Sequence, residues 1–169
     1  TVVPGTCEEI KSRFPDMKIV FSPEFLTEAN SKMDFKICNR MIFGGDPNHC
    51  QECVDMMKDI LPNKQYKITD WHTAEMVKYY INTFLATKVS FANEMKQICH
   101  AIGAEYDKVR DLAILDTRIG NSHLLVPGPD GYHGFGGKCF AKDLNALIHY
   151  CELNKITPTM LQATWQKNL

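Results

Sequence analysis

Hydrophobic positions in the first seventy residues fall into short runs separated by stretches of helical spacing. Val2–Val3 reads as the end of a strand closed by Pro4–Gly5. Thr6 reads as the cap of a helix over Cys7–Phe14, with Glu9 completing a capping box. Met17–Phe21 and Met41–Phe43 read as buried strands, the second closed by Gly44–Gly45. Asp46 then caps a helix that runs to Leu61 with Pro47 in its first turn, and Tyr66–Thr69 is another strand-like run. Strands alternating with helices predict a parallel α/β sheet.

From Asp70 onward the strand signal stops. Val77, Ile81, Phe84, Phe91, Met95, Ile98 and Ile102 recur at spacings of three and four, broken at Lys88, with Asp70 as a cap and Gly103 as a stop. The spacing predicts one helix over 73–102, about 45 Å long at ~1.5 Å per residue. Such a helix outreaches a small domain and is expected to pack on a second copy or to join domains. Tyr106–Leu115, Ala141–Asn154 and Thr159–Lys167 read as helices around a loop over 117–138 rich in Gly and Pro. The expected class is α/β over 1–69 followed by all-α over 70–169. The opening on a β-branched pair, with no initiating Met, suggests a chain that begins inside a strand of a longer protein.

Composition narrows the partners. The chain has 169 residues, 44% of them hydrophobic, enough for a sizeable core. Nineteen basic side chains against twenty acidic ones leave a net charge of −1, so no broad positive field exists to hold nucleic acid or an anionic membrane surface. No apolar run approaches the roughly 20 residues of a membrane span. Seven cysteines, an odd number without a framework, point to reduced thiols and a cytoplasmic setting.

Three constellations can carry chemistry. Gly134–Asp143 sets a flexible glycine-rich turn before Cys139 at a helix start, where orphan N–H groups, the helix dipole, Lys138 and Lys142 favour a thiolate; the competing reading is an inert buried thiol. Glu24 and Glu28 follow a strand and would share one face of a helical first turn, unless they form a solvated cap. Lys78 and Asn82, at i and i+4 on the long helix, set an ammonium beside an amide where both could hold an oxygen, although most such pairs are surface decoration. His49, Cys50 and Cys53 suggest metal only weakly, with no second ligand pair at zinc spacing. His72, His100, His123, His133 and His149 have no catalytic motif around them.

Four runs in order, SPEFLTE over 22–28, KYYINTFLATKVSFANE over 78–94, RIG over 118–120 and GFGGKCFAKD over 134–143, resemble successive signatures of the UDP-glucose/GDP-mannose dehydrogenase family. The resemblance implies a partial Rossmann-like NAD domain over 1–69, joined by the long helix to a helical dimerisation domain over 70–169. It also implies oxidation of a nucleotide sugar at C6 with NAD, in a homodimer formed through the long helix. Cys139 would capture the intermediate aldehyde as a thiohemiacetal and then a thioester. Lys78 and Asn82 would hold developing oxyanions, Asp143 with the Thr1 hydroxyl would orient water, and Glu24 would act as base. Phe25, Leu26, Gly136 and Phe140 would border the sugar, Arg118 would reach its phosphates across the dimer, and Glu28 and Lys142 would face the cofactor. Arg118-Ile-Gly favours UDP-glucose over GDP-mannose. Ala141, Lys138 and the Ala29–Asn30 pair depart from the pattern, and Val126–Gly131 lengthens the loop, so contacts of His123–Leu125 do not carry over. No G-x-G-x-x-G occurs, since Cys139 stands where a third glycine would follow Gly134 and Gly136. A non-catalytic dimerising module is the alternative.

Overall fold

The computed structural model describes residues 1–26 and 31–168. They form two compact units, Thr1–Tyr80 and Ile81–Leu169. The class is the expected one, a small sheet with helices followed by an all-helical part.

In the first unit the order is α1 (Thr6–Arg13), β1 (Val20–Phe21), α2 (Ser31–Ile37), β2 (Arg40–Gly45), α3 (Pro47–Ile60), β3 (Gln65–Thr69) and the start of α4 (Trp71–Ala101). The three strands lie in the order β1-β2-β3. β2 and β3 are parallel, with Phe43 opposite Ile68, and α3 is the crossover between them. β1 differs from expectation: it keeps two residues of the Met17–Phe21 run and pairs antiparallel, Val20 facing Gly45. Phe43, Cys50 and Val54 make the core between sheet and α3, with Met41, Met57 and Tyr66 packed around them. Burying side chains of this size contributes about 1.5–3 kcal/mol each.

Two further expectations fail in this unit. Val2–Val3 forms no strand, and Thr6 does not cap α1, because the N-cap is Gly5 at φ 93° with no side-chain cap. Glu9 is instead paired with Arg13. The α1 cap comes from Glu75 on α4. By contrast, Asp46 caps α3 as predicted, accepting from the amides of Asn48 and His49 at 2.9 and 3.3 Å. Asp70 does the same for α4, accepting from the Thr73 amide at 2.8 Å and from its hydroxyl at 2.6 Å.

The second unit holds the rest of α4, then α5 (Tyr106–Ala113), α6 (Lys138–Leu153) and α7 (Thr159–Asn168). α4 runs over 31 residues, about 46 Å at ~1.5 Å per residue. Ala86, Phe135 and Leu144 form one core, flanked by Phe140, Leu161 and Trp165. Ala92, Cys99, Tyr106, Leu124 and Val126 form another. The long 114–137 connection is therefore anchored by its own apolar residues, and the Tyr106 hydroxyl donates to the Leu124 carbonyl at 2.8 Å. No described helix is long and apolar enough to cross a membrane.

Candidate active site

The buried face of α4 is small and polar: Ala74, Glu75, Lys78, Tyr79, Asn82, Thr83, Ala86 and Ser90 are buried, while Phe84 and Phe91 are exposed. The apolar repeat thus marks the outer side of the helix, and the residues of chemical interest line the inner side.

In the first unit, the buried Lys78 ammonium donates to the Glu24 carbonyl and stands 3.9 Å from the Glu24 carboxylate. It also lies 5.6 Å from the centre of the Phe25 ring, over which Arg40 stacks at 4.8 Å. Segment 22–26 is not helical, and the Glu24 carboxylate turns back to accept from the Leu26 amide. The expected helical turn with two carboxylates on one face is therefore absent around Glu24; Glu28 lies outside the described residues. Lys78, Glu24, Phe25 and Leu26 form one group. Thr1 is exposed, at the head of the turn that leads into α1.

In the second unit, the Asn82 amide donates to Asp143 Oδ2 at 2.5 Å, and Lys142 bonds Oδ1 at 2.5 Å. Asp143 is buried, so each carboxylate oxygen meets a donor, as a buried charge requires. α6 begins at Lys138, earlier than the spacing indicated, which puts Cys139 in its first turn and Asp143 one turn further on. Of the seven thiols, all on described residues, only Cys139 is exposed. Burial pushes the Cys50 and Cys151 thiols up and, with Glu75 adding to it, takes Cys7 to about 12.

The remaining candidates have mixed settings. Phe140 is half-buried, with its ring between His123 at 5.6 Å and Phe135 at 6.1 Å. Gly134 has φ 77°, and a Cβ there would meet Asn168 Oδ1 at 2.5 Å, so packing requires glycine. Gly136 and Gly137 are different: neither has a left-handed φ, and a Cβ at either would meet nothing within 4 Å. Arg118 is 88% exposed and its guanidinium is engaged by Asp116, with Nε to Oδ1 at 2.9 Å. That hydrogen bond holds the Asp116 carboxyl below its ordinary range.

Sequence reading missed Glu75 and Arg40. The Glu75 partners lie 68 and 70 residues away, so no local signal marks it. Arg40 opens a strand and would be read as a solvated edge residue.

An α/β unit, a long helix with a polar inner face and an exposed thiol beside a buried Asn–Asp pair have a match among known families. Residues 72–169 fit the central-domain model of the UDP-glucose/GDP-mannose dehydrogenase family, and the chain belongs to that family. It is 36% identical, over 99% of its length, to the UDP-glucose 6-dehydrogenase of Rickettsia conorii. Against UDP-glucose 6-dehydrogenase 1 of Arabidopsis thaliana it is 35% identical over 82% of its length. It superposes on the structure of a UDP-glucose dehydrogenase from Pyrobaculum islandicum with a TM-score of 0.88, 32% identity and 99% of the chain covered. The chain spans 39% of the Rickettsia relative, 29% of the Arabidopsis one and 39% of the solved chain.

Proposed function

We propose that this chain carries the central catalytic segment of a nucleotide-sugar 6-dehydrogenase that oxidises the C6 alcohol of UDP-glucose to a carboxylate. The observation that carries the reading is Cys139, exposed in the first turn of α6, one turn before a buried Asp143 that Asn82 holds from α4. A thiol so placed adds to the C6 aldehyde to give a thiohemiacetal, which retains the intermediate; once that adduct has lost its hydride to an acceptor, water cleaves the resulting thioester and frees the thiol. The Lys78 ammonium and the Asn82 amide donate to oxyanions formed at C6. Asp143 and the Thr1 hydroxyl orient the water, and Glu24 takes its proton.

Phe25, Leu26 and Phe140 border the sugar, and Arg118 meets the phosphates across a dimer. Gly136 and Gly137 also favour a ligand, since nothing in the chain's own packing demands glycine there and a bare backbone allows close approach. When bound, NAD supplies the hydride acceptor. The residues present do not build its site: the chain has no G-x-G-x-x-G turn, and the Lys142 ammonium is engaged by Asp143. NAD therefore rests on the resemblance, as does a role for Glu28. The seven free thiols support a cytoplasmic setting, and the exposed apolar side of α4 supports a homodimer.

The test is to incubate the full-length protein and NAD with UDP-glucose, GDP-mannose and a UDP-N-acetylhexosamine. Sugar-acid formation from UDP-glucose is expected. Formation from either of the others alone would reassign the substrate, and none from any would leave the non-catalytic module.

A further inference from the structure

One buried charge has no part in this chemistry. Glu75, on α4, is fully shielded from solvent. Its Oε2 accepts from the Gly5 amide at 2.6 Å and its Oε1 from the Cys7 amide at 2.9 Å. An interior carboxylate is costly unless charge-assisted bonds meet it, and here both oxygens are met. They fall on the orphan N–H groups at the start of α1, where the helix dipole is positive. Gly5, at φ 93°, has no side chain with which to cap α1 locally. What a local cap cannot do is tie the turn to another element.

The tie has a direction. Thr6 donates to the Val3 carbonyl through its hydroxyl at 2.6 Å and through its amide at 3.1 Å, so the turn from Val3 to Thr6 is closed on itself and moves with Gly5. Glu75 stands three residues before Lys78 on α4, about one helical turn. The turn that Thr1 enters is thus fastened beside the ammonium that reaches Glu24.

We propose that Glu75 is a positioning residue, which by gripping the Gly5 and Cys7 amides holds the Thr1 end of the chain in register with Lys78. The inference rests on the reading of Thr1 as a participant in the reaction.

The experiment is a double-mutant cycle in the full-length enzyme, following kcat and KM for sugar-acid formation. Thr1→Val and Glu75→Gln are each expected to lower kcat about tenfold, with KM for UDP-glucose within about twofold. The double variant is expected within about twofold of Thr1→Val alone, because a residue that acts through Thr1 has nothing left to act through. Equal fold losses from Glu75→Gln in both backgrounds would mark a purely structural role and overturn the inference, as would an unchanged kcat. Glu75→Asp, one methylene shorter, replaces Glu75→Gln in the same cycle if the latter does not fold. If the wild type makes no sugar acid, or Thr1→Val runs at the wild-type rate, the catalytic reading fails before Glu75 is changed, and the inference falls with it.

Discussion

A thiol that attacks a carbonyl has to be reachable, and the seven cysteines divide on that requirement. Burial pushes Cys7, Cys50 and Cys151 up, whereas Cys139 is exposed. Iodoacetamide should therefore label Cys139 before the other six, and UDP-glucose should protect it in the full-length enzyme. Peptide mapping that found another cysteine labelled first would remove the assignment. Cys139→Ser should still bind nucleotide sugar yet lose about a hundredfold or more in sugar-acid formation, because a serine hydroxyl is a much weaker nucleophile at neutral pH. A rate within about threefold of wild type would sink it. Asp143 gives a stability counterpart. Asn82→Ala would leave that buried carboxylate with Lys142 as its remaining partner, a loss of about 1–3 kcal/mol in urea unfolding. The placement of Lys78 and Asn82 one turn apart on a single helix was legible because that spacing is local. Glu75 was not, because its meaning lies in amides 68 and 70 residues away.

Among the elements, the legible boundaries are those whose signals sit within three residues. Asp46 and Asp70 cap α3 and α4 as their positions before apolar repeats predicted. The helix α1 was legible and only its cap was misread, because that cap is remote. β1 was given the wrong direction because alternation with helices presumes crossover connections, and α2 escaped notice because its apolar residues, Met33, Phe35 and Ile37, recur at a spacing of two instead of three and four and none is buried. Asp70 makes the α4 cap testable by pH. Its bonds to the Thr73 hydroxyl and amide lower its carboxyl from 3.8 to about 2. A depressed carboxyl contributes stability above its unfolded value and loses it as pH falls through the folded one. Asp70→Ala should thus lower Tm at pH 7, and its deficit against wild type should shrink between pH 4 and pH 2; a deficit constant across that window would refute the cap. Gly44 tests packing in the same corner. An added Cβ would meet the Ala74 Cβ at 2.4 Å and the Asp70 carbonyl at 2.8 Å. Because the backbone at the start of α4 cannot yield as a side chain tip would, Gly44→Ala should cost about 1–3 kcal/mol. A neutral Ala variant in denaturant unfolding would show that α4 can shift.

For the whole molecule, the decisive feature is that α4 carries its large apolar side chains outward. Phe84, Phe91 and Ile98 repeat every seven residues and are all exposed; Val77, which opens the same repeat, and Ile81 and Met95, at the alternate three-and-four positions, are half-buried. A strict seven-residue repeat suits a helix partner, since it keeps one seam facing a neighbouring helix along its length. Lys88 breaks the repeat without spoiling it: its ammonium turns away to the Ile119 and Gly120 carbonyls at 3.3 Å, so its stem alone lies toward the seam. Two occupants fit such a seam, α4 of a second copy or a segment of the same longer protein, for the chain spans 39% of its Rickettsia relative. The second copy is favoured by self-complementarity, because an antiparallel two-fold contact centred on Phe91 sets that ring against its own equivalent and Phe84 against Ile98 of the other copy. Light scattering on the full-length protein should then give a dimer, and Phe84→Glu with Phe91→Glu should give a folded monomer, since the carboxylates at 91 would face each other and those at 84 would be buried against Ile98 of the other copy. A wild-type monomer would assign the seam to the chain's own remainder, and in that case the double Glu variant should unfold instead of dissociating. If Arg118 meets phosphate across the dimer, the dissociated variant should also lose UDP-glucose binding while Cys139 remains open to iodoacetamide. A dissociated variant that bound UDP-glucose as tightly as wild type would confine the whole site to one copy.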